Sequence, residues 1–124
     1  MIFGIGIDLL EIERMERLLP NDAFMKCVFT EYERKYIAGK GRAAAASAAG
    51  IFCAKEAASK ALGRGLAIAL HEIEVLHTEH GAPYLMLHGK AAEEYGGLTF
   101  NLSITHTGVT AGAVVTAEKH PSKD

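Results

Sequence analysis

Residues 43–62, AAAASAAGIFCAKEAASKAL, decide how this chain folds. Alanine, the strongest helix former, dominates the run, so the composition predicts the longest helix of the molecule here. Gly63 follows where a left-handed residue would cap it. Small side chains on successive turns let other backbones approach closely, which suits a helix laid on a sheet or against other helices. Gly50 is the weak point inside it.

Working outward, the segment Met1–Asp8 alternates Phe3, Ile5 and Ile7 with Gly4 and Gly6, the period of a strand with one greasy and one bare face. Asp8 leaves on the bare face. Missing side chains there would let a ligand reach the backbone, or else let the strand pack tightly. Ile12, Met15 and Leu19 then recur at helical spacing until Pro20 and Asn21, which leaves Arg14 exposed. Thr30 with Glu33 predicts a capping box opening a short helix through Ile37, stopped at Gly39 and followed by a basic loop to Arg42.

Beyond the long helix, residues 72–76 and 83–87 flank the turn HTEHGA, and residues 99–105 and 110–115 flank THTGV. Both read as antiparallel strand pairs, with a short helix at 90–95 between them. The expected class is α+β, an antiparallel β-sheet packed with one long and several short helices. At 124 residues and 49 % apolar composition, one core and one domain are expected over 1–118, with a polar tail at 119–124.

A formal net charge of −2 argues against nucleic acid as a partner. No apolar run approaches the roughly 20 residues that span a bilayer, so a cytoplasmic protein with no membrane partner is expected. Cys27 and Cys53 form neither a disulfide framework nor a zinc pattern, and both are expected to be buried and reduced. Basic residues concentrate in the first third, so one end could attract anions.

Glu56 and Lys60 share a helix face one turn apart, which is also the spacing of an ordinary salt bridge worth about 0.2–0.5 kcal/mol. Asp8 could equally be the N-cap of the helix that follows it. Together, a carboxylate at a strand end and one on a helix could hold Mg²⁺ completed by waters and substrate phosphates, with Lys60 meeting phosphate. His106 follows Leu102 and Ile104 in phase where an apolar row yields to a polar group, or is a satisfied structural histidine. The other histidines show no ligand pattern and are expected to be exposed. Dinucleotide, P-loop, GxSxG and CxxC motifs are absent.

The segments GIGIDLLEIER (4–14), FCAKEAASKALG (52–63), GAPY (81–84) and NLSITHT (101–107) resemble, in order and separation, the short phosphopantetheinyl transferases of the holo-acyl-carrier-protein synthase family. The pairing of Gly6-Ile7-Asp8 with the distant run Phe52 to Ala61 is its most specific element. The resemblance implies a 4′-phosphopantetheinyl transferase-like fold, with Asp8 and Glu56 as Mg²⁺ ligands, Lys55 and Lys60 in the phosphate-binding region and His106 near a coenzyme A phosphate. It implies Arg14, with Arg17 beside it, as the basic surface that docks the acidic helix of an acyl carrier protein. The implied reaction is attack of a carrier serine on the β-phosphate of coenzyme A, releasing adenosine 3′,5′-bisphosphate, in a homotrimer whose active sites lie between subunits. Ile51 stands where the family often has arginine, so Arg42 or Lys40 would have to supply that charge. The general base stays open between Glu56 and a water.

Overall fold

The computed structural model describes residues 1–63 and 67–120; part of the polar tail expected at 119–124, residues 121–124, lies outside them. The chain order is β1 (Ile2–Glu11), α1 (Ile12–Leu18), α2 (Asp22–Val28), α3 (Glu31–Ala38), α4 (Ala44–Ala61), β2 (Ile73–His77), β3 (Pro83–Leu87), α5 (Gly89–Tyr95), β4 (Thr99–His106) and β5 (Thr110–Glu118). Strands β1, β5 and β4 form an antiparallel sheet with β5 in the centre, and β2 and β3 form a separate hairpin. The expected α+β class with antiparallel sheets and one long helix is what the chain adopts.

The alanine-rich run forms α4, and Gly63 beyond it takes the left-handed conformation expected of its cap, with φ of 73°. α4 lies on β1 and β5. The bare face of β1 permits this: a Cβ on Gly4 or Gly6 would overlap the backbone carbonyl oxygens of Ala61 and Ala57. The glycines therefore serve close packing of helix on strand rather than access for a ligand.

The greasy face of β1 points the other way. Ile5, Ile7 and Leu9 stay 64 %, 64 % and 69 % exposed on the outer side of the sheet. Two apolar clusters fill the helix side, one around Met15, Phe29, Ile37 and Ile51, the other around Ala57, Ile73, Val115 and Ala117. Met15 and Phe29 are fully buried, each stabilising the fold by about 1.5–3 kcal/mol.

Several boundaries differ from expectation. β1 runs on to Glu11, so Asp8 sits inside the strand, and the N-cap position of α1 is Glu11, with no capping side chain. The N-cap alternative for Asp8 is thereby overturned. Asn21 does not merely stop α1; its side chain accepts from Phe24 N–H at 3.0 Å and opens α2, a helix that the spacing did not reveal. The Thr30–Glu33 capping box forms in full. Cys53 is buried as expected, whereas Cys27, on the outer face of α2, is exposed.

Candidate active site

Asp8 extends from the inner face of β1 at the point where α4 passes over it. The Lys60 ammonium reaches across from α4 and donates to Asp8 Oδ1 at 3.1 Å and to the Ile7 carbonyl oxygen at 3.0 Å. Lys60 thus ties helix to strand, beyond the intrahelical pairing that its spacing from Glu56 suggested. Glu56, one turn earlier on the same face, lies close enough to both for each to act on it. Its carboxyl is pushed above the ordinary value first by burial and then by the Asp8 charge, with Lys60 opposing both.

Two carboxylates and one ammonium therefore converge at one edge of the sheet. Beneath them, the Cys53 thiol is pushed up to about 12 by burial first and then by Asp8, so it stays protonated. Among the described residues no group of three or more His, Cys, Asp or Glu side chains is placed to enclose a metal unaided. The donor set is all oxygen, and its two carboxylates repel one another, which is the composition that suits a hard divalent cation sharing its remaining positions with water and phosphate.

Lys55 points away from this cluster. Its side chain is fully buried, and its ammonium donates to Glu33 Oε1 at 2.6 Å, to the Ile73 carbonyl at 2.6 Å and to the Leu70 carbonyl at 3.0 Å. All three of its donors are occupied. Burial lowers its pKa from the ordinary lysine value, and Glu33 opposes that shift. Placing Lys55 in the phosphate-binding region is therefore corrected: adjacent residues on a helix diverge by about 100°, and Lys55 is turned into the protein while Glu56 is turned to Asp8.

Arg42 and His106 meet elsewhere. Arg42 sits in the single turn Gly41–Ala43 before α4, is exposed, and lines an open groove of about 610 Å³ together with His106, Thr107 and Gly108. His106 is exposed and donates through Nδ1 to the Thr107 carbonyl at 3.0 Å. The same histidine borders a second hollow of about 220 Å³ with Tyr36, Ser47, Ile51, His77 and Ile104. Ile51 is 2 % exposed and belongs to the core, so no charge is presented from that position.

Sequence reasoning missed Tyr36 and His77. Their rings stack at 3.9 Å between centroids, and the Lys40 ammonium sits 4.5 Å from the Tyr36 ring centre. His77 is half-buried rather than exposed, and burial first, then Lys40, hold its pKa below the ordinary histidine value. No local motif announces this stack, because its members come from α3 and β2. Arg14 and Arg17 are both exposed on α1, while Met15 between them is buried.

The structure thus brings Asp8, Glu56 and Lys60 together on β1 and α4, and Arg42 and His106 together at the opposite side. β1 and β4 are the two edges of a three-stranded sheet, about 10 Å apart by strand spacing.

Comparison with known proteins places this geometry in context. Residues 4–103 match the family model described as the 4′-phosphopantetheinyl transferase superfamily. A holo-[acyl-carrier-protein] synthase of Treponema denticola is 43 % identical over 122 residues, covering 95 % of this chain and 99 % of the relative. Among solved structures, a holo-(acyl-carrier-protein) synthase from Bacillus anthracis in complex with coenzyme A (3′,5′-ADP) superposes with a TM-score of 0.83 at 38 % identity, covering 97 % of this chain and 99 % of that one. The holo-[acyl-carrier-protein] synthase of Neisseria meningitidis gives 0.84 at 32 % identity, covering 96 % and 100 %. Fold, motif order and near-complete coverage agree, and the chain belongs to the 4′-phosphopantetheinyl transferase superfamily, among its holo-[acyl-carrier-protein] synthases.

Proposed function

We propose that this protein transfers 4′-phosphopantetheine from coenzyme A to a serine of an apo acyl carrier protein, leaving adenosine 3′,5′-bisphosphate. The observation that carries the reading is the convergence of Asp8, Glu56 and Lys60 across the helix–strand contact. Such chemistry depends on positioning and charge neutralisation more than on covalent catalysis.

Asp8 and Glu56 are the residues that would hold Mg²⁺. When bound there, the ion would supply charge neutralisation on the pyrophosphate oxygens. Lys60, already at the rim and half exposed, offers an ammonium to charge developing on the leaving phosphate. Arg42 and His106, lining one groove, supply cationic and hydrogen-bonding groups for the remaining phosphate of coenzyme A. Arg14 and Arg17, exposed on α1, complement an acidic carrier helix and would act mainly on encounter and orientation.

The two residue groups lie at opposite edges of one sheet, so a site made from both is most economically completed between neighbouring copies. The outward Ile5, Ile7 and Leu9 support that arrangement, since an apolar strand face of this kind marks an association surface. We read the assembly as a homotrimer, working in the cytoplasm on carriers of fatty acid synthesis. Incubation of an apo carrier with coenzyme A and Mg²⁺, followed by mass spectrometry, tests the function: a mass gain of one phosphopantetheine is expected, and no gain with several competent carriers would refute it. Light scattering of the purified protein tests the trimer.

A further inference from the structure

Among the described residues, Lys55 and Glu33 are the buried charged side chains of the core, and they pair with one another away from the candidate site. Both side chains are 0 % exposed. Taking two charges out of water costs several kcal/mol per ion, and apolar residues of similar volume usually stabilise a fold as well or better. Its presence in the core points to registration rather than stability.

The surroundings identify what is registered. On its sheet side, α4 meets mostly glycine and alanine, Gly4 and Gly6 of β1 and the alanines of β5, with Val115 and Ile104, which seats against Gly50, as the bulkier contacts. A contact made largely of small side chains sets distance well and holds rotation less firmly than deep ridges and grooves do, so a second anchor on the far side of the helix has work left to do. On the opposite side, the Lys55 ammonium is held by three acceptors from separate elements: Glu33 on α3 and the carbonyls of Leu70 and Ile73 before and at the start of β2. Glu33 is itself immobilised, since Oε1 accepts from Thr30 N–H at 2.8 Å and Oε2 from Val75 N–H at 2.7 Å.

We infer that Lys55 is a positioning residue: its buried, threefold-anchored ammonium fixes the rotation of α4 so that the neighbouring Glu56 faces Asp8. The inference rests on the transferase reading for its catalytic consequence but not for its geometry. A turn of α4 about its axis would move Glu56 off Asp8 and at the same time break every bond that Lys55 makes.

The test compares Lys55→Met with Val28→Ala, a core truncation on α2 that removes apolar packing and leaves both members of the pair in place. Both variants are measured below their melting temperatures, for turnover at saturating coenzyme A and for Mn²⁺ binding in the presence of coenzyme A by electron paramagnetic resonance. Lys55→Met should lose tenfold or more in kcat, the scale expected of small misplacement at a reacting centre, and should bind Mn²⁺ more weakly. Val28→Ala should keep both within twofold. Unchanged kcat and Mn²⁺ affinity in Lys55→Met, or equal losses in both variants, would overturn the inference. Should Lys55→Met not fold, Glu33→Gln, which keeps the ammonium but removes its counter-charge, is read by the same two measurements. Failure of the wild-type protein to transfer would refute the function alone, because the Mn²⁺ comparison still judges the positioning.

Discussion

Replacing Gly6 by alanine is the smallest change that should separate the two halves of the candidate metal site. The substitution is conformationally innocent, because Gly6 is not among the glycines with positive φ and alanine is tolerated in extended backbone. Its consequence is wholly one of contact. The new methyl would overlap the Ala57 carbonyl oxygen, with the Ala57 carbonyl carbon at 2.8 Å and the Ala61 nitrogen at 2.9 Å. These are backbone atoms of a helix, so no rotamer change can relieve the overlap, and β1 and α4 must part by about 1 Å. Overpacking of this kind costs about 1–3 kcal/mol. Asp8 is two residues along the strand and Glu56 is next to Ala57, so the same separation is imposed on the two carboxylates. A displacement of about 1 Å at a reacting centre can reduce turnover about 10²-fold. The assay is carrier phosphopantetheinylation by mass spectrometry beside thermal melting, with Gly97→Ala as control, since a Cβ there meets nothing within 4 Å. Gly97→Ala should match wild type, while Gly6→Ala should lose both stability and most activity. Full activity in Gly6→Ala with an unchanged melting temperature would refute the reasoning.

Two further outcomes follow from the surrounding chemistry. His77 has a depressed pKa in the fold, so the native state resists its protonation; stability attached to it is present above the unfolded value near 6.5 and is lost as pH falls through and below that value. His77→Phe, which keeps a ring against Tyr36, should narrow the fall in melting temperature between pH 7 and pH 5, and an identical fall in both proteins would contradict the assignment. For the thiols, Ellman's reagent should label Cys27 alone in the native protein and both cysteines after denaturation; Cys27→Ser should abolish native labelling, and rapid reaction of Cys53 would contradict its burial.

What could be read from the sequence was what depends on neighbours along the chain. The capping box at Thr30 and Glu33, the alanine helix with its Gly63 cap, and the hairpin strands are all set by local spacing, and all form. The direction in which β1 faces was not legible, because alternation gives two faces without saying which is inside; the glycine side proved to be the buried one, since a helix backbone needed the space. Asp8 and Glu56 were joined only by family resemblance, as 48 residues of chain carry no distance information. Lys55 was misplaced for a related reason: lysine is rarely buried without a partner, and its partner Glu33 lies on another helix. The second hollow escaped notice because Tyr36, Ile51, His77 and His106 are contributed by four elements.

The contact of Lys60 with Asp8 also bears on which ions the proposed metal site would accept. A cation arriving at Asp8 does not meet a bare carboxylate but must displace an ammonium tethered 3.1 Å away, whose effective concentration is on the millimolar scale or higher. A singly charged ion would replace one positive charge by another and gain little Coulomb energy in that exchange. A doubly charged one held by Asp8 and Glu56 together would offset their mutual repulsion and leave Lys60 available to an anion. If the proposed site holds a divalent ion, the resting ion pair would act as a sieve against monovalent salts, a selectivity obtained by competition from within the chain rather than by the size of a cavity.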